Sequence, residues 1–299
     1  MQQRKTVIRR RENLEGYLFI MPFIIGFLLF TAVPICVSFY LSFTKYDILS
    51  SPRWTGLSNY IKMFTSDRVF WTCFKVTLFY AFVSVPLKLF MSLMVAMLLM
   101  KPKLENGIFR AIYYIPSILG GSIAIAVVWC RLFATDGAIN NILGTLGLPD
   151  DISWLSRTDT AIWTLIVLAI WQFGSSMLIF TSGLQQIPTE LYEAARVDGA
   201  GKIVQFFRIT LPMLTPVIFF NLVQQLINGF MAFTSSYVIT GGAPLNSTLF
   251  YSVYLYQQAF QFSKMGYASA MAWFMLFVVA LMTILLFKSS DRWVFYETK

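Results

Sequence analysis

Hydrophobic positions run along this chain in six long stretches, each near the ~20 residues that carry a helix across the hydrocarbon core of a bilayer. They predict helices over roughly Tyr17–Phe43, Thr72–Met100, Phe109–Phe133, Thr160–Leu184, Met213–Ile239 and Tyr267–Phe287. Polar positions gather between them in segments of two kinds. The N-tail (1–16), Lys101–Arg110, Gln185–Pro212 and the C-tail (288–299) are rich in basic residues. The segments Asp47–Trp71, Ala134–Asp159 and Thr240–Gly266 are long and hold many aromatics, among them Trp54, Tyr60, Phe64 and Phe70. Gly241-Gly242-Ala243-Pro244 breaks the exit of the fifth helix, and Phe250–Phe262 reads as an interfacial or docking helix. Anchoring by Trp and Tyr at the membrane surface accounts for any single aromatic equally well.

Composition agrees with a chain immersed in lipid. It is 57% hydrophobic, 17% aromatic and 12% charged, whereas soluble domains carry about 25% charged residues. The expected fold is therefore all-α, a polytopic membrane domain over 17–287 with six transmembrane helices. The basic start resembles the n-region of a signal peptide, but the apolar run from Leu14 to Phe43 exceeds an h-region and reads as a first span. Charge sets the orientation. Arg4, Lys5, Arg9, Arg10, Arg11, Lys101, Lys103, Arg110, Arg196, Lys202, Arg208, Lys288, Arg292 and Lys299 lie in the first kind of segment, more than half of the 23 basic residues. The positive-inside rule then predicts N-in, C-in topology with those four segments in the cytoplasm. The net charge of +9 is a topology signal, and nucleic-acid binding is not expected. Cys36, Cys73 and Cys130 are widely separated and histidine is absent, so neither a disulfide framework, a metal site nor His-based catalysis is indicated.

Polar residues inside the spans are the candidates for a solute path. All 14 acidic residues fall outside the six stretches, which argues against a proton- or sodium-coupled carrier built on intramembrane carboxylates. Asn221, Gln224, Gln225 and Asn228 recur at i, i+3, i+4 and i+7, one face of the fifth helix. Uncharged amides in a bilayer need partners or a wet cavity, and four on one stripe suit the hydroxyls of a sugar. Bonding between neighbouring helices is the other use of such residues. Gln172, Ser175 and Ser176 form a weaker version on the fourth span, and Ser84, Lys88 and Ser92 recur at i+4 on the second. Lys88 is the one charge deep within a span. It is placed to meet an acidic substrate, to pair with a partner's carboxylate, or to snorkel.

The segment Gln185–Pro212 is more elaborate than a connection requires. Thr189 is expected to cap a short helix whose first turn holds Glu190 and Glu193, favoured at the positive helix end. Leu191, Tyr192, Ala194 and Ala195 give it a small, apolar surface, and Asp198-Gly199 stops it. A second helical piece, Lys202–Ile209, leads to Leu211-Pro212 at the start of the fifth span. No phosphate-binding loop is present, since Gly199-Ala200-Gly201-Lys202 lacks the required spacing.

Glu193-Ala194-Ala195, Asp198-Gly199-Ala200 and Ile209-Thr210-Leu211-Pro212 together resemble the EAA loop of permease subunits in binding-protein-dependent ABC importers. The subgroup they resemble imports oligosaccharides, disaccharides and glycerol phosphate. Pro116 with Gly120-Gly121, and Phe133 followed by Asp136-Gly137 and Asn140, extend the resemblance across most of the chain. The resemblance implies the type I importer permease fold in the plasma membrane of a bacterium or archaeon, and a transport subunit rather than an enzyme. It implies that Leu191, Tyr192, Glu193, Ala194, Ala195, Asp198, Gly199 and Ala200 face a cytoplasmic ATPase. It further implies a second, homologous permease, two ATPase subunits that hold the ATP and Mg, and an extracytoplasmic sugar-binding protein. No cofactor is expected on this chain. The competing expectation is a stand-alone secondary carrier or channel for polar solutes.

Overall fold

The computed structural model describes residues 17–100 and 106–295. The basic N-tail, Lys101, Lys103 and Lys299 lie outside the described residues, so the topology argument built on them is not addressed by the fold. Apart from a short antiparallel pair, Thr44–Lys45 with Arg53–Trp54, the regular structure of the described residues is helical.

Four helices are long and apolar enough to cross a bilayer unaided: Tyr17–Ser42, Arg68–Leu98, Lys202–Thr240 and Met265–Ser290. The third and fourth expected spans are each broken. Gly107–Leu119 and Ile123–Leu132 meet at 98°, and Ala161–Trp171 and Gly174–Gln185 at 41°. Counting each pair as one span restores six, but the expectation of a straight third crossing is corrected. At 1.5 Å rise per residue neither half of the third span reaches the ~30 Å of the hydrocarbon core. The break falls at Gly120-Gly121, and Ser122 restarts the helix by accepting a hydrogen bond from the Ile125 amide at 3.3 Å.

A further difference concerns the fifth span. The piece expected to end at Ile209 continues through a π-helical stretch, Phe206–Thr210, directly into Leu211–Phe230. The i→i+5 pattern just before Pro212 fits a residue that has no amide hydrogen to give. The helix is interrupted again around Met231–Phe233 and closes at Thr240, where Gly241 takes a left-handed φ of 60°.

The chain divides into two compact units. In the first, residues 1–66 and 256–275, the end of the first span is tied to the hairpin behind it. The Asn59 amide donates to the carbonyls of Ser42 (2.8 Å) and Thr44 (2.9 Å), and the Tyr60 hydroxyl to Ser42 (2.9 Å). Phe43 stacks on Trp54, and Phe39 meets Trp273 edge to face. The loop aromatics thus hold the loop together as well as facing outward.

In the second unit, residues 67–255 and 276–299, Arg68–Leu98 is central and packs against both halves of the fourth span and against Leu211–Phe230. Leu165, Met177, Phe180, Leu184, Leu214 and Phe230 are its buried apolar core. Phe250–Phe262 is helical as expected, over Tyr251–Tyr256 and a π turn at Gln257–Gln261. Its first half packs inside the protein, with Phe250, Tyr251 and Tyr254 buried, while Phe260 and Phe262 are exposed at the far end. The Tyr251 amide donates to Thr77 (2.8 Å), and the Tyr254 hydroxyl to Asp67 (2.6 Å). Buried Asn140 pins the outer loop by donating to the Thr135 and Ile152 carbonyls and accepting from the Trp154 indole at 2.7 Å.

Glycine holds the two broken spans together. A Cβ on Gly174 would collide with the Tyr113 carbonyl and the Tyr114 backbone, which cannot turn aside. Gly174→Ala is expected to destabilise the protein by about 1–3 kcal/mol, the range for overpacking. Gly26→Ala, which meets nothing within 4 Å, is the control. Thermal unfolding in detergent checks this: the Gly174 variant should melt lower and the Gly26 variant should not.

Candidate functional site

Each broken span leaves backbone groups without helical partners, and in lipid these must be satisfied by the protein. The two breaks satisfy one another. Gln172 donates from its side chain to the Gly120 carbonyl (3.2 Å), while the Ser117 hydroxyl donates to the Gln172 carbonyl (3.0 Å) and accepts from the Ser175 amide (2.9 Å). From the second span, the Ser92 hydroxyl reaches the Phe173 carbonyl at 2.9 Å. Beside this knot lies a cavity of about 200 Å³ in the second unit. Its walls carry Tyr80, Ser84, Lys88, Gly120, Gly121, Gln172, Gln225, Asn228, Thr234 and Ser235.

Four of the six residues expected along a solute path therefore meet at one cavity: Lys88, Gln172, Gln225 and Asn228. Asn221 and Gln224 do not line it. Asn221 shares the angular position of the cavity residues but lies seven positions, about 10 Å, before Asn228 along the helix. Asn221 is fully buried, with its amide donating to the Val217 carbonyl at 3.1 Å, and its side-chain oxygen has no partner. Gln224 is exposed outside the cavity. Gln225 does both jobs, donating to Ser176 at 3.0 Å while touching the cavity. Ser176 is thus a helix-to-helix bond rather than a wall residue, and Ser175 contributes its backbone amide.

The loop helix forms over Thr189–Val197. Thr189 is its first turn rather than its cap; Pro188 occupies the cap position, with no side-chain cap bond. An extended Pro188 (ψ 133°) already sets the direction of entry, so the threonine hydroxyl is not needed there. The other end closes as expected. Gly199 takes φ 76°, its amide bonds the Arg196 carbonyl (3.0 Å), and the Ala200 amide reaches back to Ala195 (2.8 Å). This is the glycine-ended cap that lets the chain reverse. None of the helix residues is buried. Leu191, Glu193, Ala194, Asp198 and Gly199 are exposed, and Tyr192, Ala195 and Ala200 partly so. One side-chain bond ties this helix to the next: the Tyr192 and Thr210 hydroxyls lie 2.9 Å apart. An exposed helix with a glycine cap thus stands beside the base of the fifth span, joined to it through Tyr192 and Thr210.

Residues 76–296 match the family described as binding-protein-dependent transport system inner membrane component. The chain belongs to this family. The permease is 52% identical to the probable ABC transporter permease protein YesP of Bacillus subtilis (strain 168), over 97% of this chain and 94% of that one. It is 33% identical to the arabinooligosaccharides transport system permease protein AraP of the same organism, over 92% and 88%. Against the lactose transport system permease protein LacF of Rhizobium radiobacter the identity is 31%, over 95% and 96%. A crystal structure of a bacterial ABC transporter involved in import of the acidic polysaccharide alginate contains a chain of the same fold, at TM-score 0.82 and 24% identity with full coverage of both. The fold is the type I importer arrangement, and the permease is a transport subunit rather than an enzyme.

Several cavity residues of the permease were not singled out by sequence. Tyr80, Thr234 and Ser235 look like ordinary span-end residues, and only the interruption near Met231 turns the last two toward the cavity. Ser117 carried one faint signal, its place between Pro116 and Gly120-Gly121. Tyr192→Phe removes a bond worth about 1 kcal/mol from a helix with no buried residue. Amide hydrogen exchange over Thr189–Val197 is expected to quicken several-fold while that of Arg68–Leu98 stays unchanged.

Proposed function

We propose that this permease is the membrane-spanning subunit of an ATP-driven importer that takes carbohydrates from an extracytoplasmic binding protein into the cytoplasm of a bacterium or archaeon. The observation that carries the reading is the cavity at the two helix breaks, lined by amides, hydroxyls and one ammonium group. Such a lining offers donors and acceptors to a polyhydroxylated solute, beside apolar surface from Leu168 and Phe233. Relatives matching nearly the whole chain are named for transport of lactose and arabinooligosaccharides. A second structure of this fold is a transporter in complex with a periplasmic protein carrying an alginate pentasaccharide.

The assembly follows from what the chain lacks. It carries no phosphate loop, so ATP and Mg belong to two separate ATPase subunits. The cavity is smaller than the ~300–1,000 Å³ of a complete ligand pocket, which supports a second, homologous permease supplying the facing wall. The loop from Leu191 to Ala200 is the ATPase contact. In an N-in, C-in chain it faces the cytoplasm, and closure of the ATPases would carry it and the helix beginning at Lys202 together. Lys88, Gln172, Gln225 and Asn228 are the solute contacts of this subunit, while Asn221 is buried in the packing and Gln224 faces outside the cavity.

Glu193→Lys tests the coupling. Its exposed side chain is not needed for folding, so the variant should reach the membrane in normal amount. Uptake by the complete importer should fall about tenfold or more, the effect of losing roughly 1.4 kcal/mol at an interface. Normal uptake and normal copurification of the ATPase would contradict the assignment. Uptake by this chain alone in proteoliposomes, without ATPase or binding protein, would overturn the importer reading.

A further inference from the structure

Lys88 stands out in this cavity on grounds of charge. The walls carry one formal positive charge and no carboxylate. All 14 acidic residues of the chain lie outside the six expected spans. Among the described residues no carboxylate pairs with Lys88; the ion pair found there is Arg157–Asp159, in an outer loop. Lys88 is only partly exposed and sits ten residues inside the end of the helix Arg68–Leu98. A cation at such depth is costly unless an opposite charge or water meets it. Snorkelling answers poorly here, because the side chain opens onto the cavity rather than along the helix toward the headgroups.

The surroundings add to the positive potential. The helix Ile123–Leu132 begins two residues beyond Gly121, a wall residue, so the positive end of its dipole lies on the same side. The amides of Gln172 and Gln225 donate inward to Gly120 and Ser176, which leaves their oxygens to accept from hydroxyls. Asn228, Ser84, Thr234 and Ser235 complete a neutral polar wall around one cation.

We propose that Lys88 is an anion-selecting residue and that the solute moved by this permease is an acidic saccharide, its carboxylate meeting the Lys88 ammonium in transit. The inference rests on the carbohydrate-importer reading and narrows it to sugars bearing a negative charge. A charge-assisted bond between ammonium and carboxylate is stronger than any the amides offer. Neutral sugars would leave the cation unpaired.

The test uses the complete importer reconstituted with its ATPase, partner permease and binding protein. Matched probes are a galacturonic-acid disaccharide and a uronate trisaccharide, with the neutral sugars obtained by reducing their carboxyl groups. The expected result is ATP-dependent uptake of the acidic probes over the neutral ones. Lys88→Met should lower acidic uptake roughly tenfold or more and neutral uptake less than about twofold, while Lys88→Arg retains most acidic uptake. Membrane abundance and ATPase activity stimulated by the binding protein establish that each variant is assembled. Uptake of neutral sugars only, or an equal loss of both classes in Lys88→Met, would overturn the inference and leave the importer reading standing. Equal loss together with lost assembly would assign Lys88 to a partner's carboxylate instead. Failure of every saccharide, acidic or neutral, would overturn the carbohydrate reading itself.

Discussion

Backbone amides and carbonyls find no water in the hydrocarbon core, so a helix can be interrupted there only where other groups of the protein replace the bonds it gives up. The cavity of this permease depends on that constraint being met twice in one place. The third span stops at Gly120-Gly121 and the fourth at Gln172-Phe173, and each break supplies the other's missing partners through Ser117 and Gln172, with Ser92 closing the remaining carbonyl. Removing the side chains on Gly120 and Gly174 lets the breaks approach closely, since a Cβ at either would strike its neighbour. The polar lining, the inward-facing lysine and the sharp turn of the third span follow from this single arrangement.

The same economy of contacts operates differently at the loop. Thr189–Val197 buries nothing in its own chain and relies on its glycine cap and the Tyr192–Thr210 contact for its position. It is rigid internally and lightly attached. The helix that follows runs unbroken from Lys202 past Pro212 toward the cavity residues Gln225 and Asn228. The loop is thus joined to the cavity residues of the fifth span by one continuous helix, whereas the third span turns through 98° between its halves.

Much of this was legible in the sequence because lipid imposes long apolar runs, and the loop carries its caps and its glycine locally. The number of spans, the helix before Gly199 and the gathering of Lys88, Gln172, Gln225 and Asn228 came from patterns spanning a few turns each. What stayed hidden was tertiary. Nothing in Trp171-Gln172-Phe173 announces a break, because its cause is Ser117 and Ser92 on other helices. The amide periodicity places Asn221 and Gln224 on the same stripe as Asn228, and only tertiary packing decides which of them reaches the cavity. The burial of Phe250 and Tyr251 was equally invisible, since a short aromatic helix has the same composition whether it lies on a membrane or inside a protein.

The knot between the two breaks also bears on how the chain is made. The partner of Ser117 lies 55 residues further along, and that of Ser92 lies 81 residues further along. When the third span leaves the ribosome, its interrupted backbone has no complement yet. Its complement arrives only with the fourth span, so the polar groups at the first break are matched late in the order of the chain.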